Sequence, residues 1–206
     1  MTKTPIFLQW LFPFLVWDIK TKQKEIFLTF DDGPIPEVTE FVLEQLSIYS
    51  AKATFFCVGE NILKYPTIFQ KVIGNGHAIG NHTQTHLKGW NTNLDAYLED
   101  YKACDIAIKR FLNYDCNIFR PPYGRITPAQ SKAILNSHSI IMWSVLSNDY
   151  DQKYDEKLCL KNTIASTKSG SIVLFHDSIK ARKNLYFVLP KFLKHFSDLG
   201  YVFKAL

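Results

Sequence analysis

Short apolar runs alternate with segments of helical periodicity along most of this 206-residue chain. An apolar run of roughly four to eight residues, ended by turn residues, is typical of a strand that is buried on both faces. Strands that alternate with helices form a parallel sheet whose faces are covered. The pattern predicts seven strands, at residues 26–30, 52–59, 77–81, 117–120, 139–145, 171–175 and 201–205.

Helices are predicted in the intervals between these strands. Apolar residues spaced three and four apart indicate helices at residues 36–49, 61–73 (with a break at Pro66), 94–111, 155–167 and 183–199, and a further helix begins at Thr127. The chain has no dinucleotide-binding glycine pattern, so we expect one α/β domain with a closed or nearly closed barrel. An open doubly wound sheet is the alternative.

The composition argues against several functional classes. Nearly half of the residues are apolar (47%) and 15% are aromatic, which is typical of a globular chain. Lys and Arg number 24 against 19 Asp and Glu, but the basic residues are scattered, so we expect no nucleic-acid partner. No obligate protein partner is evident. Four cysteines without CxxC spacing favour free thiols, with a Cys104–Cys116 disulfide as the alternative.

The first 24 residues are rich in aromatic side chains, and we expect them to pack on a domain formed by residues 25–206. The apolar part, 6–17, is too short to span a bilayer, and Gln9 and Pro13 interrupt it. It also lacks a small-residue cleavage site. The sequence therefore predicts no membrane span and a cytoplasmic or membrane-proximal location, and a membrane-proximal anchor is the alternative for this segment.

Titratable side chains follow the predicted strands again and again. In βα barrels the reactive residues lie at the carboxyl ends of the strands, so we expect these side chains to meet at one end of the barrel. They are Asp31 and Asp32 after the first strand, His82 after the third, Arg120 at the fourth, Asp149 after the fifth and His176 at the sixth.

A metal site is predicted where two histidines lie four residues apart. His82 and His86 come one above the other if their turn is helical, which suits two ligands of one metal. An Asp at a neighbouring strand end supplies the third ligand. Two imidazoles and one carboxylate leave coordination positions open, as in catalytic zinc sites. Zn²⁺ is the expected metal, and Co²⁺, Ni²⁺ or Mn²⁺ also suits this mixed set.

Four motifs resemble, in order, those of the polysaccharide deacetylases (carbohydrate esterase family 4, or the NodB homology domain). The motifs are Thr29-Phe30-Asp31-Asp32-Gly33-Pro34, His82-Thr83-x-x-His86, Arg120-Pro121-Pro122-Tyr123-Gly124 and Leu174-Phe175-His176. The resemblance extends from about residue 25 to the C-terminus. It implies a distorted, TIM-barrel-like (β/α)7 barrel and metal-dependent removal of acetyl groups from a glycan.

The resemblance also implies a role for each motif residue. Asp32, His82 and His86 would hold the metal, and Asp31 would be the general base. His176 would be the general acid that protonates the leaving amine.

Further roles follow from the neighbouring motif residues. Arg120 would pair with Asp31, and the backbone N–H of Tyr123 would help to stabilise the oxyanion. Asp149 matches the second Asp of a further family motif, Asp-x-x-Asp-Trp, and would orient the catalytic histidine. In that motif Leu146 replaces the first Asp and Tyr150 replaces Trp, so the wall of the pocket is expected to differ.

The resemblance implies an acetylated glycan as substrate, most simply a peptidoglycan-like or chitin-like polymer of N-acetylglucosamine. Tyr123, Trp143 and Leu174 are expected to line the acetyl pocket, with ordinary core packing as the alternative for each. An esterase acting on O-acetyl groups and an inactive carbohydrate-binding protein are the alternative functions. The remaining histidines match no motif and are expected to be structural or surface residues; they are His77, His138 and His195.

Overall fold

The computed structural model describes residues 2–206, and within that range strands and helices alternate as the sequence predicts. The strands are β1 (Glu25–Asp31), β2 (Thr54–Cys57), β3 (Ala78–Asn81), β4 (Ile118–Phe119), β5 (Ser139–Ile140), β6 (Val145–Leu146), β7 (Ile172–His176) and β8 (Val202–Lys204). The helices are α1 (Ile6–Leu11), α2 (Val38–Ile48), α3 (Gly59–Lys64), α4 (Pro66–Gly74), α5 (Leu94–Lys109), α6 (Pro128–Ile134), α7 (Glu156–Ser166) and α8 (Arg182–Asp198).

The strands form one parallel sheet in the order β5-β4-β3-β2-β1-β7-β6. Strand β8 lies off this path and pairs with the first half of β1, in register from Glu25 with Val202. Strands β2 and β8 therefore share one edge of β1, while β7 pairs with its other edge. The predicted distorted (β/α)7 barrel is confirmed, as a seven-strand parallel half-barrel with β8 added.

The predicted fifth strand, 139–145, is wrong as a single element, because it is two short strands. Strand β5 pairs with β4 and strand β6 pairs with β7, so the chain bends between them and crosses from one end of the sheet to the other. The N-terminal segment lies along this crossing. The amide of Met142 donates to the carbonyl of Val16, and the amide of Leu146 donates to that of Thr2. The N-terminal segment thus supplies hydrogen-bond acceptors to backbone amides at the open side of the barrel.

The predicted helix at 61–73 is two helices that meet at Tyr65. A residue before proline is disfavoured in the helical region, and Tyr65 has φ −128° and ψ 56°, so α3 ends there and α4 begins at Pro66. The four cysteines are free and buried, which agrees with the expectation of free thiols.

The segment before β1 contains a short helix that the sequence did not predict. Leu15 and Trp17 are buried in a cluster with Tyr101 and Phe119, whereas Trp10 of α1 is 83% exposed. Residue 1 lies outside the described residues, and the division of the chain at residue 24 remains a prediction. Among residues 2–206, the structure contains no helix of the length and hydrophobicity that crossing a membrane requires.

Strand β1 lies at the centre of the core. Phe30 is fully buried and stacks on Phe55 of β2 and Phe175 of β7, with ring centroids 5.1 and 5.9 Å apart. Helix α8 covers this layer, and Phe192 packs edge-on against Phe175 at 5.5 Å. The apolar side chains of β1 and its neighbours hold the strand ends in fixed positions, which is what a site at those ends needs.

Replacing Phe192 by Ala is expected to reduce the free energy of unfolding by about 3–5 kcal/mol, because a fully buried ring leaves a cavity beneath α8. Urea unfolding followed by circular dichroism measures the change. Lys191→Ala on the exposed face of the same helix is the matched control and should change stability by less than about 0.5 kcal/mol. Similar losses for both variants would show that Phe192 is not part of the core.

Candidate active site

The end of β1 places two adjacent carboxylates close to one imidazole. Asp31 is the last residue of the strand and is buried, and its Oδ2 lies 3.8 Å from Nε2 of His82. Asp32 leaves the strand with φ +84°, in the left-handed region, and its Oδ1 lies 3.7 Å from the same nitrogen. The change of backbone conformation between the two residues lets neighbouring carboxylates approach the site from different directions.

Hydrogen bonds on both sides hold the unusual backbone of Asp32. The side-chain amide of Asn61 donates to the carbonyl of Asp32 at 2.7 Å. The amide of Gly33 donates to Asp177 Oδ1 at 3.0 Å, and the Gly33 carbonyl accepts from the amide of Val58 at 3.0 Å. A Cβ at Gly33 would lie 1.9 Å from the Asp177 carboxylate, so only glycine fits there.

Asp177 is a residue of this site that the sequence patterns do not predict. It is buried, and its Oδ2 accepts a hydrogen bond from the Thr39 hydroxyl at 2.6 Å. Burial raises the pKa of Asp177 to about 8, with the nearby Asp32 charge adding to the rise, while the bonds from Thr39 and Gly33 oppose it. The sequence signal for Asp177 was its position directly after His176, the last residue of β7, because reactive residues gather at the strand ends.

His82 and His86 meet through a loop and not through a helix. Thr83 and His86 both have positive φ, +64° and +60°, and the two imidazole centroids are 5.0 Å apart. Asp100 anchors the loop by accepting the amide (3.1 Å) and the hydroxyl (2.8 Å) of Thr85. The spacing of four residues suggested a helical turn, but the structure has a loop. The two rings still lie close together.

Asp32, His82 and His86 form a group that suits a divalent metal. One ligand atom from each residue lies within 4.8 Å of the others, and His86 Nε2 is 3.2 Å from Asp32 Oδ1. Nδ1 of His82 is 2.7 Å from the carbonyl of Arg120, so it donates its proton there and leaves the Nε2 lone pair facing the group. The donor set is mixed and incomplete, as in catalytic metal sites.

The protonation states of this group also favour metal binding. Burial lowers the pKa of His82 to about 4, although Asp31 opposes the change, so its imidazole is neutral at neutral pH. Burial alone would raise the pKa of Asp32, but the hydrogen bond from His86 and the charge of His176 lower it below the ordinary range. A neutral imidazole and an ionised carboxylate are the forms that bind metals.

The buried guanidinium of Arg120 fixes Asp31. Its Nη1 donates to Asp31 Oδ1 at 2.8 Å and to the hydroxyl of Thr29 at 2.7 Å. Nε and Nη2 donate to the carbonyls of Ile141 and Met142 at 3.1 and 2.8 Å. The expected contact between Arg120 and Asp31 is therefore present, and Oδ2 of Asp31 is left to face the metal-binding group.

His176, at the end of β7, is paired with Asp149. Its Nδ1 lies 2.8 Å from Asp149 Oδ1, which also accepts the hydroxyl of Ser147 at 2.8 Å. Burial alone lowers the pKa of His176, but the charge and hydrogen bond of Asp149 raise it to about 9, with smaller contributions from Asp32 and Asp31. At neutral pH the imidazole is therefore protonated and its Nε2–H is available as a proton donor.

The carboxylates and imidazoles open into one cavity of about 420 Å³. Three residues that line the cavity are those expected at the acetyl pocket: Tyr123, Trp143 and Leu174. Leu146 and Tyr150, which depart from the family's pattern, line it as well. Two basic side chains at the cavity, Arg125 and Lys180, were not predicted, because charged residues in loops carry no periodicity signal. The full lining is Asp31, Asp32, His82, His86, Tyr123, Gly124, Arg125, Trp143, Leu146, Tyr150, Leu174, His176 and Lys180.

The other three histidines lie outside this cavity. His77 is buried and accepts the amide of Ala53 at 3.3 Å through Nδ1. His138 is buried, with Nε2 3.3 Å from Asp105 Oδ1, and His195 is on the exposed face of α8. None of the three lines the cavity, and their structural or surface role remains a prediction.

Known proteins resemble this chain in sequence. A family model described as polysaccharide deacetylase matches residues 18–141. A peptidoglycan-N-acetylglucosamine deacetylase from Bacillus cereus is 36% identical over 155 residues, which are 75% of this chain and 56% of that protein. A second Bacillus cereus protein of the same name is 31% identical over 192 residues, covering 92% of this chain and 90% of that protein. The chain thus spans about half the length of the first relative and most of the second.

A solved structure is similar over nearly the whole fold. It is a peptidoglycan N-acetylglucosamine deacetylase in complex with 4-naphthalen-1-yl-N-oxidanyl-benzamide. The two chains superimpose with a TM-score of 0.90 at 30% sequence identity, and the match covers 98% of this chain and 95% of that one.

Replacing His82 by Ala should reduce the zinc retained after dialysis to about a tenth or less of the wild-type content, because a buried nitrogen donor is lost. Elemental analysis measures the bound metal, and circular dichroism checks that the variant is folded. His195→Ala, which removes an exposed imidazole of α8, is the control and should retain the wild-type content. Equal zinc in the two variants would refute the assignment of His82 as a ligand.

Proposed function

This chain belongs to the polysaccharide deacetylase family, and we propose that it hydrolyses N-acetyl groups of an amino-sugar glycan and releases acetate. The preferred glycan contains N-acetylglucosamine, as in peptidoglycan or chitin. One observation supports this most directly: a carboxylate, a metal-binding group and a protonated imidazole face a single cavity. Hydrolysis of an amide needs a base for water, a stabiliser for the oxyanion and an acid for the leaving amine.

Asp32, His82 and His86 would hold the metal, for which Zn²⁺ is the best candidate. When bound, such an ion acts as a Lewis acid that acidifies water and polarises a carbonyl group. Co²⁺, Ni²⁺ and Mn²⁺ are compatible with the same mixture of imidazole and carboxylate.

Asp31 is the proposed general base. Arg120 binds its Oδ1, and Oδ2 therefore accepts the proton of the attacking water. The guanidinium also fixes the direction of the carboxylate, since it is itself held by two backbone carbonyls. A base that cannot rotate needs little reorganisation when the proton moves.

Tyr123 and His176 are proposed to act on opposite sides of the scissile bond. Tyr123 follows two prolines in a tight turn and has φ +60°, and its backbone N–H would donate to the carbonyl oxygen as negative charge develops. His176 would donate its Nε2 proton to the amine nitrogen as the C–N bond breaks, and Asp149 stabilises the imidazolium before that step. Trp143 and Leu174 supply apolar surface for the acetyl methyl group.

Two alternative functions share parts of this site. An O-acetyl ester would be cleaved by the same groups, and because an alkoxide leaves more easily than an amine, the ester depends less on His176. An inactive carbohydrate-binding protein needs no base or acid. The presence of Asp31 with its Arg120 partner and of His176 with Asp149 supports hydrolysis.

The decisive assay measures acetate released from N-acetylglucosamine pentamer by the zinc-loaded protein, with acetylated xylan as the ester substrate. We expect release from the pentamer, and Asp31→Asn should lower kcat by about 10²–10⁴-fold while zinc content is retained. Because Arg120 then loses its buried anion, circular dichroism must show that the variant is folded.

The control for that variant is Asp115→Asn, which changes an exposed carboxylate far from the cavity and should keep the wild-type rate. An Asp31→Asn protein with a near wild-type rate would remove Asp31 as the base. Release from acetylated xylan alone would favour the esterase, and no release from either substrate by zinc-loaded protein would reject hydrolysis.

The pH dependence should depend on Asp149. Its negative charge raises the pKa of His176, so Asp149→Asn lowers that pKa and the imidazole loses its proton at a lower pH. We expect the alkaline limb of the kcat/KM profile to move to lower pH in this variant. Asp151→Asn, at an exposed neighbouring position, is the control and should leave the limb in place. An unmoved limb in Asp149→Asn would contradict the role of His176 as the acid.

A further inference from the structure

Three aromatic rings at the cavity or next to it each have a basic side chain over one face: Tyr123 and Tyr150 line the cavity, and Trp90 lies beside it against Arg125, and the three pairs together are called the rim. The guanidinium carbon of Arg125 is 5.0 Å from the ring centre of Trp90. Nζ of Lys88 is 5.8 Å from the ring centre of Tyr123, and Nζ of Lys180 is 5.6 Å from that of Tyr150. The six residues come from four different loops.

The topology places these pairs on two sides of β1, the strand that ends at Asp31. Lys88 and Trp90 follow β3, and Tyr123 and Arg125 follow β4, so these residues lie on one side of β1. Tyr150 follows β6 and Lys180 follows β7, which are on the other side of β1. A polymer that crosses the cavity at the end of β1 would therefore pass a cation and a ring both before and after the scissile acetamide.

Within the described residues, 2–206, these cations have no anionic partner. Among residues 2–206, no carboxylate oxygen lies within 4.0 Å of the charged nitrogens of Lys88, Arg125 or Lys180. The two carboxylates that line the cavity are already engaged, Asp31 by Arg120 and Asp32 by the imidazoles. The rim therefore presents uncompensated positive charge toward whatever occupies the cavity.

We propose that Lys88, Arg125 and Lys180 bind carboxylates of the glycan, so that the preferred substrate is an anionic, carboxylate-bearing polymer and not a neutral one. This inference rests on the proposed function. A sugar ring can lie on an aromatic face through its C–H groups, and a carboxylate on the same or the next residue then meets the cation beside that face. The carboxylate can be a uronic acid or a lactyl ether, and both present the same charge.

The aromatic partners suit such a role. Trp90 and Tyr123 are 62% and 60% exposed, and the indole N–H of Trp90 donates to the carbonyl of Ile126 at 3.2 Å, which holds the ring in place. Distances of 5 to 6 Å between cation and ring leave each flexible side chain free to turn toward an incoming anion. The simpler explanation, in which the cations only cover exposed rings, predicts no preference between neutral and anionic glycans.

The test compares two substrates that differ only in charge. Glycan strands of alternating N-acetylglucosamine and N-acetylmuramic acid are used with the lactyl carboxylates free, or with those carboxylates reduced to alcohols. At about 20 mM salt, where surface charges are weakly screened, we expect kcat/KM for the free-acid strands to be about tenfold higher. The ratio should fall toward one at about 500 mM salt.

The variant for this test is Lys88→Gln/Arg125→Gln/Lys180→Gln, which removes three positive charges at the rim. We expect the ratio of the two kcat/KM values to fall to about one at low salt. Lys161→Gln, on the exposed surface of α7, is the control and should keep the wild-type ratio. Circular dichroism checks the triple variant, and the single variants replace it if it does not fold.

The N-acetylglucosamine pentamer separates this inference from the proposed function. Release of acetate from the pentamer with equal kcat/KM for both strand types would overturn the inference and leave the deacetylase activity standing. If the protein released no acetate, equilibrium binding of the two strand types to zinc-loaded protein, followed by tryptophan fluorescence, would still decide it. Tighter binding of the free-acid strands, lost in the triple variant, supports the inference, and equal binding rejects it.

Discussion

The buried ion pair between Arg120 and Asp31 connects the strands that build the cavity. The guanidinium reaches Asp31 at the end of β1 and the carbonyls of Ile141 and Met142 at the crossing between β5 and β6. The carbonyl of the same arginine accepts the proton of His82 at the end of β3. Taking a guanidinium out of water costs several kcal/mol unless it is paired and hydrogen-bonded, and here four such bonds are made. Asp31, the proposed base, and His82 of the metal-binding group therefore both depend on Arg120 for their positions, Asp31 on its side chain and His82 on its backbone carbonyl.

Backbone conformation is the second device that shapes the site. Asp32, Thr83, His86 and Tyr123 all have positive φ, which non-glycine residues seldom adopt and which costs about 1–3 kcal/mol each. All four lie at or beside the cavity. Hydrogen bonds from neighbouring groups hold such conformations. In the turn after β1, Asp177 accepts the amide of Gly33 and Asn61 donates to the carbonyl of Asp32. Part of the stability supplied by the core around Phe30 is thus used to keep two residues of the metal-binding group, Asp32 and His86, and the proposed oxyanion donor, Tyr123, in unfavourable conformations.

The sequence predicted the frame of the fold and the principal groups of the site, because both follow from local patterns. Apolar runs located the strands, and the rule that reactive residues follow parallel strands brought Asp31, His82 and His176 to one end. The crossing at Ile141 was missed, since an apolar run does not show where its hydrogen-bond partners change. Asp177 and Asn61 were missed as well, because their function is a contact with a backbone turn that is distant in sequence. The rim cations depend on how loops fold over the sheet, and no periodicity encodes that.

The order of the strands has a consequence for how the chain folds during its synthesis. Strand β1 pairs with β7 along one edge, with Leu28 opposite Val173, and with β8 at the other, with Glu25 opposite Val202. Two of its three partners, β7 and β8, thus leave the ribosome about 145 and 177 residues later, and the hydrogen bond from the Thr4 hydroxyl to the Trp143 carbonyl also joins residues that are distant in sequence. Long sequence separations of this kind slow folding and leave apolar strands exposed meanwhile. The buried central strand β1 therefore needs protection until translation is nearly finished.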